Sequence, residues 1–248
     1  MKEELKLFEK YFEKSLNFSS KIIVHSNAIK TELLKIFNIE DEKIKVIYED
    51  LRYDFKILEK KECQEFLKKY DLKFKKFFLI INTLEKRKNF DFILDIYQKL
   101  PLKIKEEFPL VIFGMKGRYS EEIIKTIKKI YNCKYFGYLN DKYLNQCLSS
   151  ANILFYPSVY EGFGISPVES MASGTPVVAS LLDVTREILK DNALLVDLNK
   201  SDDWLNNINL LLNDDKIYNK YVDQGSLHSK QFKSGSTVNE IQKIYTQE

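Results

Sequence analysis

The chain is poor in the residues that punctuate or cross-link a fold. Its 248 residues include eight glycines, five prolines, three cysteines, two histidines and one tryptophan. Cys63, Cys133 and Cys147 are odd in number and lack CxxC spacing, which argues against a structural zinc site and fits a reducing, cytosolic compartment. No apolar run approaches the roughly 20 residues that cross a bilayer; the longest extends from Phe77 to Ile81. Met1-Lys2-Glu3-Glu4-Leu5-Lys6 is charged and has no apolar signal-peptide core. Neither sign of charge dominates, because 39 basic and 36 acidic residues leave only +3. That balance gives no push toward nucleic acid. No G-x-G-x-x-G follows the first strand of either α/β unit, which disfavours an ordinary dinucleotide-binding domain. Internal repeats and low-complexity tracts are also absent.

What is present is an ordinary globular composition, 44% hydrophobic and 30% charged, in a chain long enough for one large domain or one domain and part of another. Residues 1–20 carry Leu5, Phe8, Tyr11, Phe12 and Leu16 at helical spacing. Residues 21–25 and 44–48 read as short strands around a helix over 27–37 capped by Ser26. A charged, ambiguous stretch over 51–75 follows. Strands are then expected at 77–81, 110–113, 135–136, 153–156, 176–179 and 194–196. Helices are expected at 90–100, 121–131, 141–149 and 167–173, with a mostly helical remainder. Short apolar runs alternating with helices predict an α/β fold: a parallel sheet covered on both faces, with ligands at the carboxyl ends of its strands.

The densest chemistry lies in Tyr160-Glu161-Gly162-Phe163-Gly164-Ile165-Ser166-Pro167-Val168-Glu169. Three of the eight glycines, Gly162, Gly164 and Gly174, fall within thirteen consecutive positions. Glycine kept there points to a sharp turn or a close backbone approach. Ser166 at N-cap, Pro167 at N1 and Glu169 at N3 spell a capping box, with Gly174 closing the helix. Capping alone accounts for Glu169 on local chemistry; it accounts for neither Glu161 nor the glycines. The amides of Gly164, Ile165 and Ser166, leading into a helix N-terminus, make a phosphate site. A carboxylate beside such a site can hold the hydroxyls of a sugar or ribose. That combination suits a nucleotide-sugar.

The segment PSVYEGFGISPVESMASGTPVVAS resembles the E-x7-E region of retaining family 4 glycosyltransferases of GT-B fold. FFLIINTLEKRKNFDFILDIY, LVIFGMKG and YFGYLNDKYLNQCLSSANILFYPS resemble the preceding strands, loops and helices of the same Rossmann-like donor domain. The similarity is collinear over roughly residues 20–248. It implies a hexosyltransferase in which Glu161 orients the donor sugar and Glu169 takes the ribose hydroxyls. It implies that backbone at Gly162, Phe163, Gly164, Ile165 and Ser166 binds sugar and distal phosphate. Gly137, Tyr138 and Leu139 would frame the base, while Lys88 and Arg87 neutralise the leaving diphosphate; the alternative for these two is a solvated loop charge pair. The carboxylates would bind different parts of one donor, so they are not a glycosidase acid–nucleophile pair. The implied donor is a nucleotide-diphosphate sugar, with no further cofactor and no metal.

The resemblance divides the chain into four parts. Residues 1–50 are the remnant of an N-terminal acceptor-side domain, 51–75 a connecting segment, 76–215 the nucleotide-sugar domain and 216–248 C-terminal helices. It implies a glycan or lipid-linked acceptor in surface polysaccharide synthesis, cytoplasmic location and room for peripheral contact with the inner membrane face. A module that binds nucleotide-sugar but needs a separate chain for the missing domain is the alternative. Asn82 and Thr83 stand where relatives carry Gly and Arg, and Lys190 where they carry Gly. His25, ending an apolar strand, reads as a buried, satisfied histidine, and His228 as structural or solvent-facing. Lys68, Lys69, Lys73, Lys75 and Lys76 read as a solvated face, with anionic lipid as the other candidate partner.

Overall fold

A computed structural model describes residues 2–232 and 235–246; the outermost ends of the spans above and residues 233–234 lie outside it. The chain opens with α1 (Lys2–Phe18), β1 (Ile22–Val24), α2 (Asn27–Ile36) and β2 (Ile44–Val46). The strands pair in parallel, Ile22 opposite Ile44, as a separate two-stranded sheet. Ser26 caps α2 as expected, its Oγ accepting from the Ile29 amide. The ambiguous stretch contains one helix, α3 (Gln64–Tyr70).

From there strands and helices alternate: β3 (Phe78–Ile81), α4 (Phe90–Lys99), α5 (Leu102–Glu107), β4 (Leu110–Phe113), α6 (Ser120–Ile127), β5 (Cys133–Tyr135), α7 (Leu144–Ser150), β6 (Ile153–Tyr156), α8 (Ile165–Ala172), β7 (Val177–Ser180), α9 (Asp183–Leu189) and β8 (Leu194–Val196). Helices α10 (Ser201–Asn213), α11 (Asp215–Ser229) and α12 (Ser236–Thr246) complete it. The sheet runs β5-β4-β3-β6-β7-β8 and every neighbouring pair is parallel. Counted within this sheet the order is 3-2-1-4-5-6, that of doubly wound nucleotide-binding sheets.

Both faces are buried, which is why the strands read as continuous apolar runs. Alternate residues serve opposite cores. Phe78, Ile80, Leu110, Ile112, Ile153 and Phe155 pack on one side with α4, α6 and α10, where Trp204 is fully buried. Leu79, Val111, Phe113, Leu154 and Tyr156 pack on the other with α3, α7, α8 and α9. Each large apolar side chain buried there contributes about 1.5–3 kcal/mol.

Several local expectations are corrected. Helix α8 starts at Ile165 with Gly164 at N-cap, no side chain caps it, and so Ser166 and Glu169 form no capping box. Gly164 takes φ +94°, the left-handed region, which ends the preceding turn two residues early. Pro167 then sits third in the helix, where a missing N–H costs nothing. Gly174, at φ +74°, does close the helix.

The helix read at 121–131 stops at Ile127 and tightens into a turn in which the Ile130 amide donates to Ile127 O. The strand read at 135–136 is Cys133–Tyr135, in register with Leu110–Ile112. Residues 141–143 form a 3-10 turn before α7, capped by the Asn140 side chain.

His25 is exposed rather than buried, its Nδ1 lying 3.0 Å from Ile47 O. His228 is buried, with Nε2 2.7 Å from Ile188 O. Lys75 leaves the solvated face: its ammonium donates to Gly174 O at 2.9 Å and Thr175 Oγ1 at 3.0 Å. Lys190 takes φ +50° and ψ −137°, backbone that glycine adopts without strain.

Candidate functional site

In a sheet of this order the strand sequence reverses between β3 and β6, and the loops leaving those two strands open a crevice at their carboxyl ends. The loop after β3 carries Arg87 and Lys88 in a 3-10 turn that ends at Asn89, whose φ of +54° starts α4. The loop after β6 carries Glu161. The Val159 amide donates to Arg87 O at 2.9 Å, which ties the two loops together.

Three residues predicted from sequence meet here. Lys88 Nζ donates to Glu161 Oε1 at 2.6 Å, and Arg87 Nη1 to Oε2 at 3.0 Å. Lys88 is 7% exposed and Glu161 likewise, so this is no solvated charge pair. Arg87 is half-exposed and also donates to Glu85. Burial pushes the Glu161 pKa up, but the Lys88 ammonium, with the Ser158 and Tyr156 hydroxyls, outweighs it and leaves it below the ordinary carboxylate value. Burial pulls the Lys88 pKa down, against the opposing charge of Glu161. The Lys88 ammonium also lies 5.3 Å from the centre of the Tyr156 ring. One carboxylate thus holds two cations at the crevice, and Glu85 on Arg87 balances the four charges.

Beside them, Gly164 opens α8 over the Tyr156 ring, which a Cβ there would meet at 3.5 Å. The start of α8 is uncapped, with no side chain bonded to its first amides. Gly162 O accepts from Ser26 Oγ at 2.8 Å, so the turn is anchored to the start of α2. The Phe163 side chain is buried against Tyr48 and Phe232, which leaves only its backbone to serve a ligand.

Across the crevice, Gly114 lets the loops after β3 and β4 touch: a Cβ there would lie 1.7 Å from Asn82 O. The Gly114 amide donates to Gly137 O. Gly137, at φ +76°, turns the chain so that Leu139 is buried and Tyr138 exposed. Tyr138 donates to Asp141, which also accepts from Tyr53. The Asn82 side-chain nitrogen is buried without a partner among the described residues.

Glu169, 1% exposed, faces not its helix start but Arg52. Arg52 Nε donates to Oε1 at 2.8 Å and Nη2 to Oε2 at 3.2 Å. Burial raises the Glu169 pKa and Arg52 counters it only in part. Sequence reasoning missed Arg52, Tyr53 and Asp141. One signal was available: the chain has only four arginines, and Arg52 and Arg87 both end on the two motif carboxylates.

A cavity of about 490 Å³ lies between α2 and α9, with Glu161, Tyr160, Glu32, Asp183 and Glu187 in its walls. Among the described residues no cluster of His, Cys, Asp and Glu could hold a metal ion. No described helix is long and apolar enough to cross a membrane.

Residues 64–228 match the family model of glycosyl transferases group 1. The chain is 30% identical over 234 residues to O-antigen chain mannosyltransferase B of Escherichia coli, covering 93% of this chain and 61% of that protein. It is 29% identical over 223 residues to O-antigen chain mannosyltransferase RfbU of Salmonella typhimurium, covering 86% and 58%. Among solved structures it superposes on Anabaena HepE in complex with UDP and glucose with a TM-score of 0.83 and 19% identity, covering 94% of this chain and 65% of that one. The chain therefore spans about three fifths of the length of these curated relatives.

Proposed function

Because the chain belongs to the glycosyl transferases group 1 family, we propose that it is the donor-binding part of a retaining, family 4 hexosyltransferase. It takes sugar from a nucleotide-diphosphate sugar to a glycan or lipid-linked acceptor in surface polysaccharide synthesis, at or near the inner membrane face. The names of the two mannosyltransferases support a mannosyl donor. The observation that carries the reading is the convergence of Glu161, Arg87 and Lys88 at the crevice between β3 and β6, beside the uncapped start of α8.

The residue roles follow from charge and reach. Glu169 takes the ribose hydroxyls, and backbone at Gly137, Tyr138 and Leu139 frames the base. The amides from Gly162 to Ser166 take the sugar and distal phosphate, and Glu161 orients the sugar hydroxyls. As the bond between anomeric carbon and phosphate oxygen breaks, charge grows on the diphosphate, and Lys88 and Arg87 stabilise it more than the ground state. The acceptor oxygen bonds to the same face of that carbon and its proton passes to the leaving phosphate. Residues 1–50 are then the end of the acceptor-side lobe, 51–75 the connection, 76–215 the donor domain and 216–248 its helical closure.

The small two-stranded sheet of β1 and β2 suits a second reading, a module that binds donor but transfers only with a partner lobe. Calorimetry with UDP, GDP and ADP tests the common core of both. One diphosphate should bind. Lys88→Ala should weaken it ten- to a hundredfold, the range for losing a charge-assisted hydrogen bond of about 1.5–3 kcal/mol. Failure of all three nucleotides to bind overturns both readings.

A further inference from the structure

We propose that Arg52 is a positioning residue of the nucleotide site: its guanidinium holds the Glu169 carboxylate ionised and turned so that both oxygens can still accept from ribose. The inference rests on the ribose reading of Glu169. Arg52 comes from the segment between β2 and α3, far along the chain from α8, yet its planar fork lies along both carboxylate oxygens at 2.8 and 3.2 Å. Each carboxylate oxygen offers about two acceptor positions. A side-on arginine takes one on each. One on each oxygen is left, which is the number two ribose hydroxyls need.

The surroundings make Arg52 necessary rather than ornamental. Glu169 is 1% exposed, whereas the Arg52 side chain is half-exposed and reaches it from the solvent side. Three influences oppose ionisation: burial, then Glu49 from the Arg52 segment, and Asp141 from the turn before α7. Arg52 is the main group that favours the charged form, and among the described residues it is the side chain hydrogen-bonded to that carboxylate. A buried carboxyl stripped of its cation takes a proton at neutral pH. A neutral carboxyl spends one oxygen on its own O–H and no longer accepts through both. Tyr53, the next residue, donates to Asp141, which Tyr138 also engages beside the base-framing backbone. The Arg52–Tyr53 segment therefore walls the nucleotide site at its ribose end and at its base end.

Calorimetric titration of the nucleoside diphosphate that binds best, from pH 6 to 9, tests this on the full chain. Arg52→Met should raise Kd about tenfold at pH 6.5. The deficit should close toward pH 9 as Glu169 ionises without help. Arg52→Lys should recover most of the affinity, which also shows that the site still folds. In a Glu169→Gln background Arg52→Met should add no further loss.

Two results overturn the inference alone, given that Glu169→Gln weakens binding. Arg52→Met binding as tightly as the unaltered chain would make the arginine dispensable or an obstruction. A loss that is independent of pH and persists in the Glu169→Gln background would mean that Arg52 meets the phosphates directly. If Glu169→Gln itself binds like the unaltered chain, the ribose reading falls and takes the inference with it.

Discussion

Lys75 is a surface lysine by sequence and a buried amine by structure. Burial pulls its pKa down to about 7, against about 10.4 in an unfolded chain. Between those values the unfolded chain carries a proton that the folded chain lacks, so stability rises with pH from about 7 to about 10. Below that window both states are charged and the fold bears the full cost of burying the ammonium. Lys75→Met should therefore be most favourable, relative to the unaltered chain, near pH 6.5. Its advantage should shrink by on the order of 3 kcal/mol by pH 9.5, since a tenfold change in proton affinity is about 1.4 kcal/mol. Urea unfolding of both proteins at the two pH values checks it; a constant gap would return Lys75 to the solvated face.

Glu161 was legible at this same scale because glycine is rare and the carboxylate pair stands in a motif; Lys88 and Arg87 were legible only through the family resemblance of the loop after β3. Arg52 was not, because no local pattern ties it to a glutamate on another element.

At the scale of elements, Glu187 on α9 joins the two sheets. Its carboxylate accepts from the Asn27 amide at 2.8 Å, the Ala28 amide at 2.9 Å and the Tyr48 hydroxyl at 2.7 Å. It thus caps α2 from another element, alongside Ser26 in sequence, and suits the positive end of that helix. Glu187→Ala should cost about 1–2 kcal/mol. Hydrogen exchange should quicken over residues 22–46 while the amides of β3, β4 and β6 stay protected. Uniform quickening of both regions would mean that the two sheets open together.

Strands were more legible than helix ends. A strand buried on both faces needs an apolar run, whereas the start of α8 turned on the φ of Gly164. The Ser-Pro-x-Glu pattern satisfied a local rule that the turn after β6 overrides.

For the whole molecule, the groups proposed to hold the donor are carried on the connections of one continuous six-stranded sheet, while β1 and β2 form a sheet of only two parallel strands. Diphosphate binding should therefore be a property of this chain as it stands. Transfer should need a fuller acceptor-side lobe. Fusing the N-terminal lobe of the similar E. coli mannosyltransferase ahead of residue 20 should leave nucleotide Kd within about threefold and raise turnover by at least tenfold, the change that about 1.4 kcal/mol of barrier represents. Equal turnover with and without that lobe would assign the acceptor site to this chain, where the cavity between α2 and α9 is one candidate space beside Glu161.

The sequence by itself determined the alternation of elements, the parallel sheet buried on both faces and the Glu161 motif, because side-chain periodicity and glycine placement are local physical demands. Tertiary structure alone decided that Glu169 faces Arg52, 117 positions away, and that Lys75 turns inward to Gly174, 99 positions away. Burial strengthens a charge contact and penalises its absence, and which distant group becomes the buried partner depends on how the elements pack.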